Sequence, residues 1–316
     1  MTERSPAAVP APDPDADPAA GQVAGGRGKA AQARRLHPWL WLLPALALLI
    51  PFFVMPLGIL ARNSVYRDDP TALMVPDFTI DNYVRMLTDP YYLDVFTNSL
   101  WIAVLVGIIA LFVSYPFAYY VVRWARRSRK LLIWAIYMPL IVSVIVRVFG
   151  WIVITADSGL INNLLVGVGF IDRPLQILYA VSGMMIGLTH RYLPLMVLPL
   201  VNAIAKIDPA LLTASAGLGA GRFRTFALVI VPLSLPGIVV GFQLVFAGVL
   251  SDYVLPNLMG TTRFRMLAPA IYDEAIGNVS WASAASMAVI MIVIVVAVLL
   301  ITNLAFRRYA PWARTL

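Results

Sequence analysis

The sequence contains no cysteine, which excludes disulfide bonds, thiol catalysis and cysteine-ligated metal. Histidine is nearly absent too: His37 and His190 lie in separate segments and offer no metal-ligand pair. No GxxxxGK[ST] phosphate loop, HExxH or GxSxG motif occurs. We therefore expect no catalytic residues and no metal or cofactor bound by this chain. Any ATP must be bound by another chain.

Charged residues are also scarce. They make up 13% of the 316 residues, and hydrophobic residues make up 60%. Soluble domains have about 25% charged and 45–50% apolar residues. The composition therefore indicates a polytopic membrane protein. The net charge of +8 could suggest nucleic-acid binding, but the basic residues flank apolar runs, so membrane topology explains them more simply.

Six long apolar runs are the main feature of the sequence. Each is long enough to cross a hydrocarbon core of about 30 Å as a helix. The predicted fold class is therefore all-α, with six transmembrane helices and a helical loop on the cytoplasmic side. The runs cover residues of about 37–61, 94–122, 131–155, 175–203, 236–254 and 281–306. We expect Pro44, Pro51 and Pro56 to kink the first of them.

The remaining segments are polar. Residues 1–35 predict a disordered cytoplasmic tail, 36–310 a membrane domain, and 311–316 a cytoplasmic C-terminal tail. A signal peptide is an alternative for the start, but the first apolar run is too long and lacks a cleavage site. In the first long loop, residues 78–87 predict a short interfacial helix, and residues 156–174 predict a loop.

Lysine and arginine give the orientation. With the N-terminus inside, sixteen of the 24 basic residues lie on the cytoplasmic side, six lie outside, and two lie within spans. This asymmetry predicts that both termini are cytoplasmic.

The segment 208–238 separates the fourth and fifth runs and carries Gly217, Gly219 and Gly221, followed by Pro232 and Pro236. It predicts two short helices, one over about 209–218 and one from about 222, joined by a glycine turn. One face of the second helix should carry Phe223, Phe226, Ala227 and Ile230. We expect Pro232 and Pro236 to end or kink that helix. Such a segment is either a solvated loop or a docking surface.

This segment resembles the cytoplasmic coupling loop of permease subunits of ATP-binding-cassette (ABC) importers. That loop has a Glu-Ala-Ala signature followed by a glycine, at which positions this chain has Thr213, Ala214, Ser215 and Gly219. Thr213 in place of glutamate puts an ionic contact with the ATPase in doubt. The resemblance implies a coupling loop at about 206–234. Its implied ATPase-contacting residues are Leu212, Thr213, Ala214, Ser215, Leu218, Gly219, Ala220, Arg222 and Phe223.

Several further stretches resemble the spermidine/putrescine type of permease within the MetI-like superfamily. They cover residues 82–104, 147–165, 190–200 and 206–212. The resemblance implies a multi-pass subunit of the bacterial inner membrane that imports a small solute, such as putrescine or spermidine. It also implies a second permease subunit, two ATPase subunits that bind ATP and Mg²⁺, and an extracytoplasmic solute-binding protein.

Charges inside the predicted spans are candidate pathway residues, because an unpaired charge is costly there. Arg147, Arg191 and Asp252 are these charges. One alternative for Arg147 and Arg191 is a role in the pathway. The other is structural: each arginine forms an interhelix hydrogen bond or snorkels to a membrane interface. Asp252 either attracts a cationic solute or is a helix-end acid in water. Cation–π contacts with an amine could come from Trp151, Tyr137 and Tyr253, unless these aromatic residues serve packing.

A rival function is a secondary transporter or channel that works without an ATPase. It would need its own ion or proton site within the spans, and the few charges there argue against it. A membrane-bound enzyme has no residue set in its favour.

Overall fold

Six helical runs in the described residues are long and apolar enough to cross a membrane, which confirms the predicted number of spans. The computed structural model describes residues 38–69, 73–125, 127–261 and 264–309. The tails predicted at 1–35 and 311–316 lie outside these residues. The six spans are Leu42–Asn63, Pro90–Arg123, Val144–Gly167, Val181–Ala205, Arg222–Leu250 and Trp281–Arg308.

The helices within and between these spans are numbered in chain order. They are α1 (Pro38–Leu49), α2 (Met55–Asn63), α3 (Asp81–Thr88), α4 (Pro90–Arg123), α5 (Arg129–Ile141), α6 (Val144–Thr155), α7 (Leu160–Gly167), α8 (Val181–Ala205), α9 (Pro209–Gly217), α10 (Arg222–Thr225), α11 (Val231–Leu250), α12 (Val254–Met259), α13 (Leu267–Tyr272) and α14 (Trp281–Tyr309). Three π-helical turns lie at Ile50–Val54, Phe226–Ile230 and Asp273–Gly277. Strands β1 (Arg67–Asp69) and β2 (Leu73–Val75) form an antiparallel hairpin that pairs Arg67 with Val75.

Chain contacts divide the protein into two units, Met1–Pro56 and Leu57–Leu316. The described part of the first unit is apolar and helical, and the π-turn there contains Pro51. Proline cannot donate to the helical hydrogen-bond ladder, so a wider turn accommodates it without ending the helix.

The core of the second unit is built by α4, α8 and α11, which pack most extensively on one another. Phe246, Ile102 and Met196 are among its fully buried side chains. Small residues allow the close approach of α8 and α11. A Cβ on Gly237 would lie 2.6 Å from the Cβ of Ala203, so no larger residue fits there without a shift. This is the packing mode expected between helices in a membrane.

The third predicted span, 131–155, is interrupted, and its bounds differ from those of the run that length and composition select. The apolar run at 131–155 is two helices, because α5 ends at Ile141 and Val142 is extended (φ −72°, ψ 137°) before α6 begins. Pro139 weakens the last turn of α5, and the β-branched residues that follow favour extended backbone. The third membrane-length run instead joins α6 to α7 and ends at Gly167.

The segment predicted as a loop at 156–174 therefore contains helix α7. Asn162 on this helix is buried, and its amide donates to the carbonyl oxygens of Ala156 (3.1 Å) and Leu175 (3.0 Å). Its side-chain oxygen accepts from the Leu175 amide at 2.8 Å. Asn162 thus fixes both flanks of the segment to α7.

A polar network links the hairpin, α3 and the start of α14. Asp68 accepts from the backbone amides of Ala282 (2.8 Å) and Ser283 (3.0 Å), which caps the N-terminus of α14. The Ser283 hydroxyl also donates to Asp68 and accepts from Arg85. The short helix predicted at 78–87 is confirmed as α3, whereas the hairpin was not predicted.

Candidate functional site

The segment between the fourth and fifth spans forms an exposed helix–turn–helix. The Asp208 carboxylate accepts from the amide of Ala210 at 2.8 Å and caps α9, and Pro209 occupies its first turn. Gly219 follows α9 with φ +80°. The amides of Gly219 and Ala220 donate back to Ala216 (3.0 Å) and Ser215 (3.1 Å). This is a Schellman motif, and only glycine adopts its left-handed position without strain.

No residue of α9 is buried, and the turn and α10 are exposed as well. Leu218 is 89% exposed and Phe223 is 83% exposed. The hydroxyls of Ser215 and Thr225 are hydrogen-bonded at 2.8 Å and hold α9 against α10. The segment is therefore an exposed protrusion that presents both apolar and basic side chains.

The structure places the nine residues implied by the resemblance on this protrusion. Leu212, Ser215 and Ala220 are half-buried, and the other six are exposed. The Thr213 hydroxyl, which stands where the signature has glutamate, lies 3.3 Å from the carbonyl oxygen of Pro209 in its own helix.

The second helix was predicted to end or kink at Pro232 and Pro236; the first alternative is wrong, and the kink stays a prediction. The helix does not end at Pro232 or Pro236, because α10, a π-turn and α11 form one continuous run from Arg222 to Leu250. The π-turn precedes Pro232 and widens the hydrogen-bond ladder where proline has no N–H to donate.

The predicted apolar face is buried in part. Ile230 is 2% exposed, and Phe226 contacts the ring of Tyr115 edge-on at 5.4 Å, while Phe223 is exposed. The π-turn changes the angular spacing that a regular helix would have given these residues.

A second site is a polar cluster between α6, α8 and the residues after α11. Arg191 Nε lies 3.2 Å from Asp252 Oδ2, and the Asp252 side chain is 1% exposed. The Tyr192 hydroxyl lies 3.1 Å from the same carboxylate and 2.7 Å from the carbonyl oxygen of Gly248. A Cβ on Gly248 would lie 2.3 Å from the Tyr192 ring, so glycine is needed for this approach.

Arg147 of α6 borders the same cluster. It lines a small cavity together with Trp151, His190 and Arg191. Its Nε and Nη1 atoms are buried and have no hydrogen-bond partner. Trp151 Nε1 donates to His190 Nδ1 at 3.2 Å, which links α6 to α8.

Three predicted pathway residues, Arg147, Trp151 and Asp252, thus lie in one cluster around His190 and Arg191 of α8. The structure does not bring the other two into this cluster. Tyr253 packs against Tyr272 with ring centroids 4.7 Å apart. Desolvation, followed by the neighbouring Tyr272, raises the pKa of Tyr253 above its usual value. Tyr137 lies on α5 and is 40% exposed.

The interpretation of Asp252 as a helix-end acid in water is wrong, because its carboxylate is buried against Arg191. Arg191 pairs with Asp252, so the structure shows a contact between helical segments, which was the structural alternative for this arginine. Sequence reasoning did not select His190 and Tyr192. The consecutive polar residues His190, Arg191 and Tyr192 in an apolar run were the available signal. Among the described residues, no group of side chains could hold a metal ion.

Fold and site together define a multi-pass membrane protein with an exposed helix–turn–helix between its fourth and fifth spans. Residues 160–315 match the family described as binding-protein-dependent transport system inner membrane component. The chain is 32% identical over 254 residues to the spermidine/putrescine transport system permease protein PotB of Salmonella typhimurium (strain SL1344), covering 80% of this chain and 88% of that protein. The chain belongs to this family of inner membrane components.

Other relatives support this assignment. The chain is 33% identical to PotB of Haemophilus influenzae, covering 74% of this chain and 81% of that protein. It is 30% identical to the inner membrane ABC transporter permease protein YdcU of Escherichia coli (strain K12), covering 77% and 82%. One similar solved structure is a bacterial ABC transporter involved in the import of the acidic polysaccharide alginate. It has a TM-score of 0.70 and 17% identity, and the match covers 86% of this chain and 95% of that chain.

These findings confirm the predicted type I ABC permease fold and the predicted family. They also decide between the functions left open by the sequence. A permease of a binding-protein-dependent system works with other proteins, so the family gives no support to a transporter or channel that acts alone.

Proposed function

We propose that this chain is one of two permease subunits of an ATP-driven importer, and that its solute is a polyamine such as putrescine or spermidine. The observation that supports this solute class is the 32% identity to a spermidine/putrescine permease over 80% of the chain. The remaining subunits would be two ATPases, which bind ATP and Mg²⁺, and an extracytoplasmic solute-binding protein.

Both termini are proposed to be cytoplasmic. Nη2 of Arg123, at the end of α4, lies 3.5 Å from the carbonyl oxygen of Ile207, so the loop after α4 and the helix–turn–helix share one end of the molecule. The loop after α4 and the helix–turn–helix carry most of the basic residues between the spans. The excess of basic residues favours the cytoplasm for this end.

Residues 206–234, here called the coupling loop, are proposed to dock on an ATPase subunit. Leu218 and Phe223 offer exposed apolar side chains for a groove on the partner. Because α10 continues without a break into α11, a push on the loop would move the fifth span directly. Thr213 carries no charge, so we expect docking here to depend on packing and hydrogen bonds.

The pathway assignments change with the geometry. Asp252 is neutralised by Arg191, so we propose that this pair holds α8 to the start of α12 and does not bind a cation. Trp151 remains a candidate pathway residue, because it borders the polar cluster and donates to His190 of α8 at 3.2 Å.

The test is uptake of radiolabelled putrescine into proteoliposomes that contain the chain, its second permease, the ATPase and the binding protein. We expect uptake that requires ATP and every component. Uptake by this chain alone would refute the importer mechanism. ATP hydrolysis that the loaded binding protein stimulates, without putrescine uptake, would refute the solute and leave the mechanism intact.

A further inference from the structure

The polar cluster carries more positive than negative charge. Arg147 and Arg191 line the same small cavity. Among the described residues, Asp252 is the one carboxylate in ion-pair contact with either arginine, and it pairs with Arg191 at 3.2 Å. Arg147 is left without an ion pair, and its Nε and Nη1 are buried without hydrogen bonds. One guanidinium charge in the third span is therefore uncompensated within the described chain.

Such an arrangement is costly in a membrane. An unpaired charge within a span is unfavourable, and arginines in spans therefore pair or face water. A long side chain can reach an interface by snorkelling, but Nε and Nη1 of Arg147 are buried within this chain. A counter-charge from outside the chain would remove this cost.

The surroundings of Arg147 are open on one side. Helix α6 buries only Val148 and Thr155 among its described residues, and Val146 is 62% exposed. Beside the cluster lies an open apolar groove of about 460 Å³ that Trp151 and His190 share with residues of α4 and α8. An apolar surface that borders a buried, unpaired cation fits another spanning helix that carries an acid.

We propose that this face of α6 and α8 packs against the second permease subunit, and that Arg147 forms an ion pair with an aspartate or glutamate in a span of that subunit. The proposal rests on the proposed function, which supplies the second subunit. The solute is a poor alternative as counter-ion, because a polyamine is cationic and the unpaired Arg147 would repel it.

The first test reverses the charge in the assembled complex. We expect Arg147→Glu to lower the amount of second permease that co-purifies with this chain by at least about tenfold, because two buried carboxylates would face each other. Replacing one acid in the spans of the second subunit by arginine should restore co-purification. Arg173→Glu is the matched control, since Arg173 is exposed between the third and fourth spans, and we expect wild-type co-purification.

Wild-type co-purification of Arg147→Glu would overturn the proposal. Rescue of Arg147→Glu only by substitution of Asp252 would overturn it too, since the partner would then lie in this chain. Arg147→Lys keeps the charge and should retain the second subunit, which separates loss of the ion pair from misfolding.

A second test leaves Arg147 intact. Because the chain has no cysteine, Val146→Cys gives a unique thiol beside Arg147. We expect it to cross-link to single cysteines placed next to acids in the spans of the second permease. No cross-link from any of these positions would overturn the proposal. Neither test measures transport, so failure of putrescine uptake would refute the solute and leave the ion pair standing.

Discussion

At the scale of single residues, the pair of Arg191 and Asp252 shows how the protein places charge inside its helices. Both groups are largely withdrawn from solvent, and the Tyr192 hydroxyl adds a further polar contact to the carboxylate. A buried pair of this kind contributes little over an apolar contact, but removal of one partner leaves an uncompensated charge.

We predict that Asp252→Asn destabilises the protein by about 3–5 kcal/mol, because Arg191 loses its counter-charge in a buried setting. Thermal unfolding in detergent should show a lower midpoint. The control is Asp273→Asn, since Asp273 pairs with Arg265 on the surface and should contribute about 1 kcal/mol or less. Equal midpoints for both variants would contradict the role given to Asp252.

Gly219 gives a second residue-scale prediction. Because Gly219 has a φ of +80°, we expect Gly219→Ala to lower the free energy of unfolding by about 1–2 kcal/mol. The cause is backbone strain, since a Cβ at this position would meet no atom within 4 Å. Gly217→Ala is the matched control, because Gly217 has equal space and lies within α9. We expect only Gly219→Ala to lower ATP-dependent uptake, with both variants present in the membrane. Equal uptake would show that the turn does not transmit the movement.

At the scale of elements, the helix that begins at Arg222 carries one residue proposed for docking and another that supports stability. Phe223 is exposed, whereas Ile230, two turns later, is buried in the core. We predict that Phe223→Ala weakens co-purification of the ATPase and leaves the unfolding midpoint unchanged. Ile230→Ala should instead lower stability by about 2–5 kcal/mol. A drop in midpoint for Phe223→Ala would mean that its side chain supports the fold.

The hairpin and α14 form a second element-scale unit. Asp68 receives two amides and one hydroxyl from the start of α14. We expect Asp68→Ala to destabilise the protein by about 1–2 kcal/mol, as loss of an N-cap does, with a lower unfolding midpoint in detergent. Asp77→Ala removes an exposed partner of Arg67 and should change the midpoint little. Similar midpoints for the two variants would argue against the cap.

At the scale of the whole molecule, the orientation can be tested directly, because an introduced cysteine is unique in this chain. Arg173→Cys lies in the exposed segment between the third and fourth spans, and Leu218→Cys lies in the coupling loop, so the first replaces an external residue and the second a cytoplasmic one in the proposed topology. We expect a membrane-impermeant maleimide to label Arg173→Cys in intact cells and Leu218→Cys only after permeabilisation. The reverse pattern would place the coupling loop outside and refute the proposed contact with an ATPase.

How much the sequence revealed depends on the range of the interactions involved. The six spans, the short helix at 78–87 and the start of the helix at Arg222 follow from local composition and spacing, and the structure has all of them. The break at Val142 and the continuation past Pro232 were missed. Proline in a sequence signals a disturbed helix, but whether the helix ends or widens depends on the packing around it.

The sequence by itself determined that this chain is a six-span membrane protein with an exposed helix–turn–helix, because apolar length and glycine chemistry act over neighbouring residues. Only the tertiary structure decided which charges are paired. Arg191 and Asp252 lie some sixty residues apart and meet because α8 packs against α11, while Arg147 on α6 approaches the same cavity without a partner of its own. Contacts across such distances follow from helix packing, which no local pattern specifies.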